Sequence, residues 1–226
     1  MLLIAIDTSG RNGSVALCSD DDNSFEILQM IPLEGGTYSA RLMPTIAELL
    51  ANQQLTKEQA DVFVVVSGPG LFTGLRVGLA TVKGLCEALQ KPLVAVSMLE
   101  AVAAFRGSRD GDVAVALDAG RGEVYVGEFE MANARASVVR EHICKLDAFA
   151  ADAGSSERAV VSPDAKIVEE LLAAGATAKQ VDPVHADEIG RFGLSKFLAG
   201  ELADVTTLDA NYIRRSDAEL FSLPKR

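Results

Sequence analysis

Apolar residues come along this chain in short blocks separated by turn-forming ones. Residues 2–6 (Leu-Leu-Ile-Ala-Ile) are wholly apolar, the pattern of a strand buried on both faces. Asp7-Thr8-Ser9-Gly10-Arg11-Asn12-Gly13 is turn chemistry, after which residues 14–18 return as a second strand and residues 25–33 as a third. Leu42, Ile46, Leu49 and Leu50 then fall at i, i+4, i+7 and i+8, which predicts a helix over residues 39–51, capped by Ser39 and bent by Pro44. Residues 62–66 (Val-Phe-Val-Val-Val) are the most β-prone run. Ser67-Gly68-Pro69-Gly70 breaks it, and a helix is predicted over residues 72–89. Residues 93–96 are another buried strand, with Ser97 capping a short helix.

Around residues 106–111 (Arg-Gly-Ser-Arg-Asp-Gly) the composition turns polar, and a lobe boundary is placed there. The second half of the chain echoes the first. Residues 113–117 are apolar, Asp118-Ala119-Gly120-Arg121-Gly122 is a turn, and residues 123–129 alternate. Asp118 stands 111 positions after Asp7 (118 − 7), about half the chain. A strand at 159–161 and a helix at 164–174 mirror the strand and helix of residues 62–89, so the pattern predicts an internal duplication. After Pro183 comes a last helix over 189–198 and the tail Asn211-Tyr212-Ile213-Arg214-Arg215. The expected domains are an N-terminal lobe of residues 1–106, with residues 188–226 packing back on it, and a smaller lobe of residues 107–187.

Composition narrows the function. In 226 residues, 49% hydrophobic and 23% charged, there is apolar material enough to offset the ordering entropy, which excludes a mainly disordered chain. The net charge of −11 repels phosphate backbones, so broad direct contact with nucleic acid is excluded. Cys18, Cys86 and Cys144 are odd in number and widely spaced, against a disulfide framework or a paired-cysteine metal site. The first apolar block is cut short by Asp7, which reads as a strand rather than a signal peptide, and no run nears the roughly 20 apolar residues of a membrane helix. A cytoplasmic protein with no membrane association is expected.

Candidate chemistry is sparse. Asp7 at a strand end, with Thr8 and Ser9, can hold a phosphate or a hydrated divalent cation, or can satisfy the amides of its own turn. Asp118 is its counterpart in the second half. Ser67-Gly68-Pro69-Gly70 before a helix can bind an anion through its free amides and the helix dipole, or can serve as a tight structural turn; it lacks the Lys-Ser/Thr ending of a P-loop and the glycine spacing of a dinucleotide fold. Gly74, Gly78, Thr81 and Gly84 or Leu85 fall at i, i+4, i+7 and i+10/11, a stripe of small residues along one face of the following helix. Each interior glycine costs roughly 1 kcal/mol relative to alanine, so the stripe implies a backbone in close approach, from inside the lobe or from a partner chain. His142 and His185 are the only histidines, 43 positions apart (185 − 142), with no zinc-hydrolase spacing, and no nucleophile elbow is present.

Several blocks resemble the TsaB (YeaZ) family. They are Leu3-Ile4-Ala5-Ile6-Asp7-Thr8-Ser9, Ser14-Val15-Ala16-Leu17, Ser39-x-Arg41-Leu42-Met43-Pro44, Gly68-Pro69-Gly70-x-Phe72-Thr73-Gly74-Leu75-Arg76-Val77-Gly78-Leu79-Ala80 and Asp118-Ala119-x-x-Gly122-Glu123-Val124-Tyr125. The tail Tyr212-Ile213-Arg214 is similar to the family's closing Tyr-Leu-Arg. Leu71 and Tyr38 depart from it, standing where the family has Ser and His. The resemblance implies an α/β fold of the actin/hexokinase/Hsp70-like (ASKHA) superfamily, with two duplicated ribonuclease-H-like lobes. It also implies the dimerization subunit of the bacterial complex that forms N6-threonylcarbamoyladenosine next to the anticodon of ANN-decoding tRNAs. There the related subunit TsaD carries the metal and the transfer chemistry, and TsaE, an ATPase, joins them. Such a subunit is not itself the catalyst, has no intrinsic cofactor, meets tRNA only indirectly, and forms homodimers when alone. ATP or ADP would enter only at the level of the complex.

With this resemblance the glycine-rich helix and the helix of residues 39–51 become the expected docking face. The expected contacts are Arg41, Met43, Phe72, Gly74, Leu75, Arg76, Gly78, Leu79 and Lys83. On this reading Gly78→Leu would abolish the complex with TsaD and leave a folded protein. The alternative is an independent ATP-dependent small-molecule kinase of the same superfamily using Asp7 and Asp118; a peptidase is argued against by the missing nucleophile and metal set.

Overall fold

The computed structural model describes residues 1–21, 24–108, 110–133, 135–156, 158–211 and 213. Tyr212, Arg214 and Arg215 of the tail motif lie outside the described residues. The chain divides into two compact units, one formed by Met1–Ala101 with Val184–Ala210, the other built on Val102–Pro183.

In the first unit β1 (Leu2–Asp7), β2 (Asn12–Asp21), β3 (Ser24–Glu34), β4 (Val62–Gly68) and β5 (Leu93–Ser97) form one sheet in the order β3-β2-β1-β4-β5. β1 pairs antiparallel with β2 and parallel with β4, where Ile4 meets Phe63 and Ala5 meets Val64. A central strand covered on both faces must be apolar on both, and Leu3–Ile6 and Val62–Val66 are correspondingly buried at 1% exposure or less. Helix α1 (Tyr38–Asn52) lies between β3 and β4, and α2 (Phe72–Leu89) between β4 and β5. α1 starts one residue before the expected cap: Ser39 is inside it, and Thr37 holds the N-cap position. Thr37 Oγ1 donates instead to the Glu34 carbonyl at 2.7 Å, bracing the turn into the helix. α3 (Met98–Arg106) follows β5, and Ser97 caps it as expected, its Oγ accepting from the Glu100 amide at 3.4 Å.

The second unit repeats this order. β6 (Gly111–Gly120), β7 (Glu123–Ala132), β8 (Arg135–Lys145), β9 (Ala159–Ser162) and β10 (Ala178–Gln180) pair as β8-β7-β6-β9-β10, with the same antiparallel and parallel senses. α4 (Leu146–Gly154) and α5 (Ala165–Ala173) take the places of α1 and α2. Asp164 caps α5, its carboxylate accepting from the Lys166 amide at 2.9 Å. The duplication is therefore present element by element, in two α/β lobes of the kind the resemblance implies.

Its register differs by one residue from the Asp7–Asp118 alignment. In the first unit Ala5 faces α6 (Ala186–Leu198): a Cβ at Gly190 would lie 2.9 Å from Cys18 Sγ and 3.3 Å from Ala5, and one at Gly193 would run into Val64. Asp7 shares this face by alternation, and Thr8 points the other way, to α2. In the second unit Ala114 and Ala116 pack with α4 and α5, and Asp118, two positions on, shares their face. Asp118 is thus the counterpart of Thr8, not of Asp7. A one-residue slip in a strand reverses every side chain, so two aspartates that align in sequence lie on opposite faces of their sheets. Among the described residues no helix is long and apolar enough to cross a membrane.

Candidate functional site

The β1–β2 turn is built around its own hydrogen bonds. Asp7, 4% exposed, accepts from the Ser9 amide at 2.8 Å and the Ser9 hydroxyl at 2.6 Å. Thr8 Oγ1 donates to the Gly74 carbonyl at 2.8 Å. Burial raises the Asp7 pKa above the ordinary carboxylate value, opposed by the two Ser9 hydrogen bonds and by the charge of His185. The hydroxyls offered as phosphate ligands, Thr8 and Ser9, are thus engaged within the lobe. Asp118, although on the opposite face, also accepts from the amide two residues on, that of Gly120, at 2.8 Å, and is exposed. Asp7 thus satisfies the amide of its own turn, one of the two roles offered for it. The Ser67–Gly70 segment is likewise closed: the Leu71 amide donates to the Ser9 carbonyl at 2.7 Å, and a Cβ at Gly70 would strike that same carbonyl.

The glycine stripe of α2 receives this turn. A Cβ at Gly74 would collide with the Thr8 carbonyl oxygen, and one at Gly78 with Thr8 Oγ1. The close backbone approach is therefore from inside the lobe. Gly84, at the far end of the stripe, has open space beside it and takes no part. This changes the expected effect of Gly78→Leu: four extra carbons have no room beneath a buried helix face, so the variant damages the fold before it can report on a partner.

The docking residues separate by exposure. Gly74, Leu75, Gly78 and Leu79 are buried in α2, holding it to the sheet. Lys83 is half-buried, its Nζ held by the Leu208 carbonyl at 2.7 Å and the Thr206 carbonyl at 3.4 Å. Arg41, Met43, Phe72 and Arg76 are exposed, with Met43 at 48% and Phe72 at 38%. The Arg76 guanidinium lies 3.7 Å from the centre of the Phe72 ring, a cation–π pair at the start of the helix. Leu71, absent from the expected set, is 50% exposed beside Phe72. Its signal in the sequence was an apolar residue at a helix N-cap, where a polar side chain is the rule. Tyr38 was also missed. It is the first residue of α1, is buried, and donates from its hydroxyl to the Gly10 carbonyl at 2.8 Å. A cleft of about 290 Å³ between the starts of α1 and α2 is lined by Tyr38, Leu71, Phe72, Gly74 and Val77, among others.

Thiol and imidazole chemistry is subdued. Burial pushes Cys18 and Cys86 up to about 12, far from a thiolate at neutral pH, and raises Cys144. Burial lowers the pKa of His142, whose buried Nδ1 has no hydrogen-bond partner among the described residues. Among the described residues no three His, Cys, Asp or Glu side chains cluster as metal ligands.

Comparison with known proteins places this geometry. A model of the family described as TsaD, tRNA N6-adenosine threonylcarbamoyltransferase, matches residues 35–205. The tRNA threonylcarbamoyladenosine biosynthesis protein TsaB of Bacillus subtilis strain 168 is 31% identical over 229 residues, an alignment covering 97% of this chain and 96% of that protein. The chain belongs to the TsaB (YeaZ) family. YeaZ from Pseudomonas aeruginosa shares the fold, with a TM-score of 0.73 at 23% identity, over 93% of this chain and 99% of that one. A structure described as an uncharacterized protein with similarity to peptidase YeaZ from Pseudomonas aeruginosa gives a TM-score of 0.75 at 27% identity, over 94% of this chain and 99% of that one. Helices α1 and α2 lie inside the span of the family model, whereas the Asp7–Gly13 turn precedes it.

Proposed function

We propose that this chain is a non-catalytic subunit in the formation of N6-threonylcarbamoyladenosine, next to the anticodon of ANN-decoding tRNAs. It scaffolds and activates a TsaD subunit, which supplies the transfer chemistry, and recruits TsaE. Without TsaD it pairs with a second copy of itself. It needs no cofactor of its own; ATP or ADP belongs to the complex, and tRNA is met through the partners. The observation that carries this reading is the end-to-end likeness to TsaB of Bacillus subtilis.

The partner face is the exposed side of α1 and α2. Met43, Leu71 and Phe72 offer apolar surface beside Arg41 and Arg76, on a chain whose net charge is −11. Neither helix has an acidic residue in its first turn. Aromatic and arginine side chains of this kind anchor protein interfaces. The buried Gly74, Leu75, Gly78 and Leu79 support that surface from below.

Reconstitution tests the reading. TsaD, TsaE and the threonylcarbamoyl-AMP synthase are incubated with unmodified tRNA, with and without this chain, and modified adenosine is measured in the digested tRNA. Modification is expected only when the chain is present. Full modification in its absence, or modification of any substrate by the chain alone, would overturn the proposal.

A further inference from the structure

We propose that Tyr38 is the positioning residue of the α1–α2 face, its ring fixing the separation of the two helix starts and thereby the surface that Leu71 and Phe72 present. The inference rests on the docking role proposed above for that face.

A helix start is normally solvated, yet Tyr38, the first residue of α1, is 4% exposed. Its hydroxyl reaches back 28 positions to the Gly10 carbonyl in the β1–β2 turn. The backbone lacks a side chain at both places the ring passes. A Cβ at Gly13, the second residue of β2, would strike the Asp7 carbonyl and sit 2.8 Å from Tyr38 Oη and 3.0 Å from Cε1; one at Gly74, in the first turn of α2, would strike the Thr8 carbonyl and sit 3.1 Å from Cε2. One aromatic ring therefore touches the start of α1, the β1–β2 turn and the start of α2 together. The same ring lines the cleft flanked by Leu71 and Phe72. A phenol held at about 12 by burial stays protonated, so the bond to Gly10 persists over the whole physiological range. Thr8 ties the turn to α2 through Gly74, and Tyr38 adds α1 to that connection.

The test measures the dissociation constant for a TsaD subunit by calorimetry, alongside the thermal midpoint of the free chain. Tyr38→Leu removes the ring while keeping a side chain a helix accepts, and is expected to weaken binding at least about tenfold. Tyr38→Phe keeps the ring between Gly13 and Gly74 and should stay within about threefold of the wild type. Leu171→Ala in α5, fully buried in the core of the second unit, controls for lost stability and should leave the affinity unchanged even with an equal or larger fall in midpoint. If Tyr38→Leu does not fold, Tyr38→Met repeats the measurement. Wild-type affinity in the ring-deleted variant, or equal weakening by Leu171→Ala, would overturn the inference. Phe72→Asp separates it from the reading beneath. No effect of Phe72→Asp means the docking face itself is misplaced. Loss of binding with Phe72→Asp but not with Tyr38→Leu leaves the face in place and removes Tyr38 as the residue that shapes it.

Discussion

The Thr8 side chain fills the notch that Gly78 leaves in α2, with Thr8 Oγ1 bonded to the carbonyl of Gly74 one helical turn away. Gly78→Ala relieves roughly 1 kcal/mol of helix cost but forces a methyl group onto that hydroxyl, and overpacking of this kind costs about 1–3 kcal/mol. Removing the hydroxyl makes room, since the next nearest atom, Thr8 Cβ, is 3.5 Å from the added carbon. In urea denaturation, Gly78→Ala is expected to destabilise the wild type and to be neutral or stabilising in a Thr8→Ala background, a coupling of roughly 1–2 kcal/mol. Additive effects would show that the notch is not shaped by Thr8. Asp7, one position earlier, gives a prediction with a definite pH sign. Burial raises its folded-state pKa above the ordinary 3.8, so the ionised carboxylate costs stability at neutral pH, and that cost fades as pH falls through the folded pKa to the unfolded value. The amide oxygen of Asp7→Asn can still accept from Ser9, so the variant should melt higher than the wild type at pH 7, with the gain shrinking as pH falls to about 4. A gain that does not change across that range would show that the charge of Asp7 is not its source. The sequence left Asp7 open between a phosphate or cation ligand and a residue held by its own turn. It could not show which face of the sheet Asp7 takes, because that depends on strand register.

At the scale of elements, strands and helices with a strong apolar period were readable. The runs at residues 2–6 and 62–66 became β1 and β4, and α2 begins and ends at the expected residues, Phe72 and Leu89. β8 was not assigned. It is an edge strand paired on one side only, and its exposed stretch runs Ser137, Val138, Val139, Arg140, without alternation. Its neighbour α4 carried a visible signal, Leu146, Phe149, Ala150 and Ala153 at i, i+3, i+4 and i+7, which an assignment starting from β-prone runs passes over. The stripe of small residues in α2 was legible as a close approach, but not its direction. A glycine reports that something comes near, and only the fold says whether the visitor is Thr8 of the same chain or a second molecule. For that reason the expected contact set mixed inward and outward positions of one helix, and exposure was needed to separate Phe72 and Arg76 from Leu75 and Leu79.

At the scale of the whole molecule, the duplicated order of strands hides an asymmetry in how the first unit is closed. Its sheet carries α2 on the face of Thr8, while the face of Ala5, Cys18 and Val64 is covered by α6, which returns from beyond residue 183. Contact there is intimate: Gly190 and Gly193 let the helix backbone sit on those side chains, and the Ala186 amide donates to Ser14 Oγ at 2.9 Å. Lys196 adds an ion pair to Glu100 at 3.1 Å, and an antiparallel bridge joins Ala203 to Leu93 beyond the helix. Burying Ile189 and Leu194 alone contributes roughly 1.5–3 kcal/mol each, and α6 as a whole of order 5 kcal/mol or more. That approaches the entire stability of an ordinary domain, roughly 5–15 kcal/mol. A chain ending at Pro183 is therefore expected to lose the cooperative unfolding of its first unit. Cys18, fully buried under Gly190 in the intact protein, serves as the reporter. In the intact chain its thiol should resist a disulfide-exchange reagent for as long as the fold persists, while the half-buried Cys144 reacts first. In the truncated chain Cys18 should react at the rate of an exposed thiol, identified by peptide mapping. Continued protection of Cys18 without residues 184–226 would mean that the sheet closes without its returning helix, and that the first unit is complete in residues 1–101.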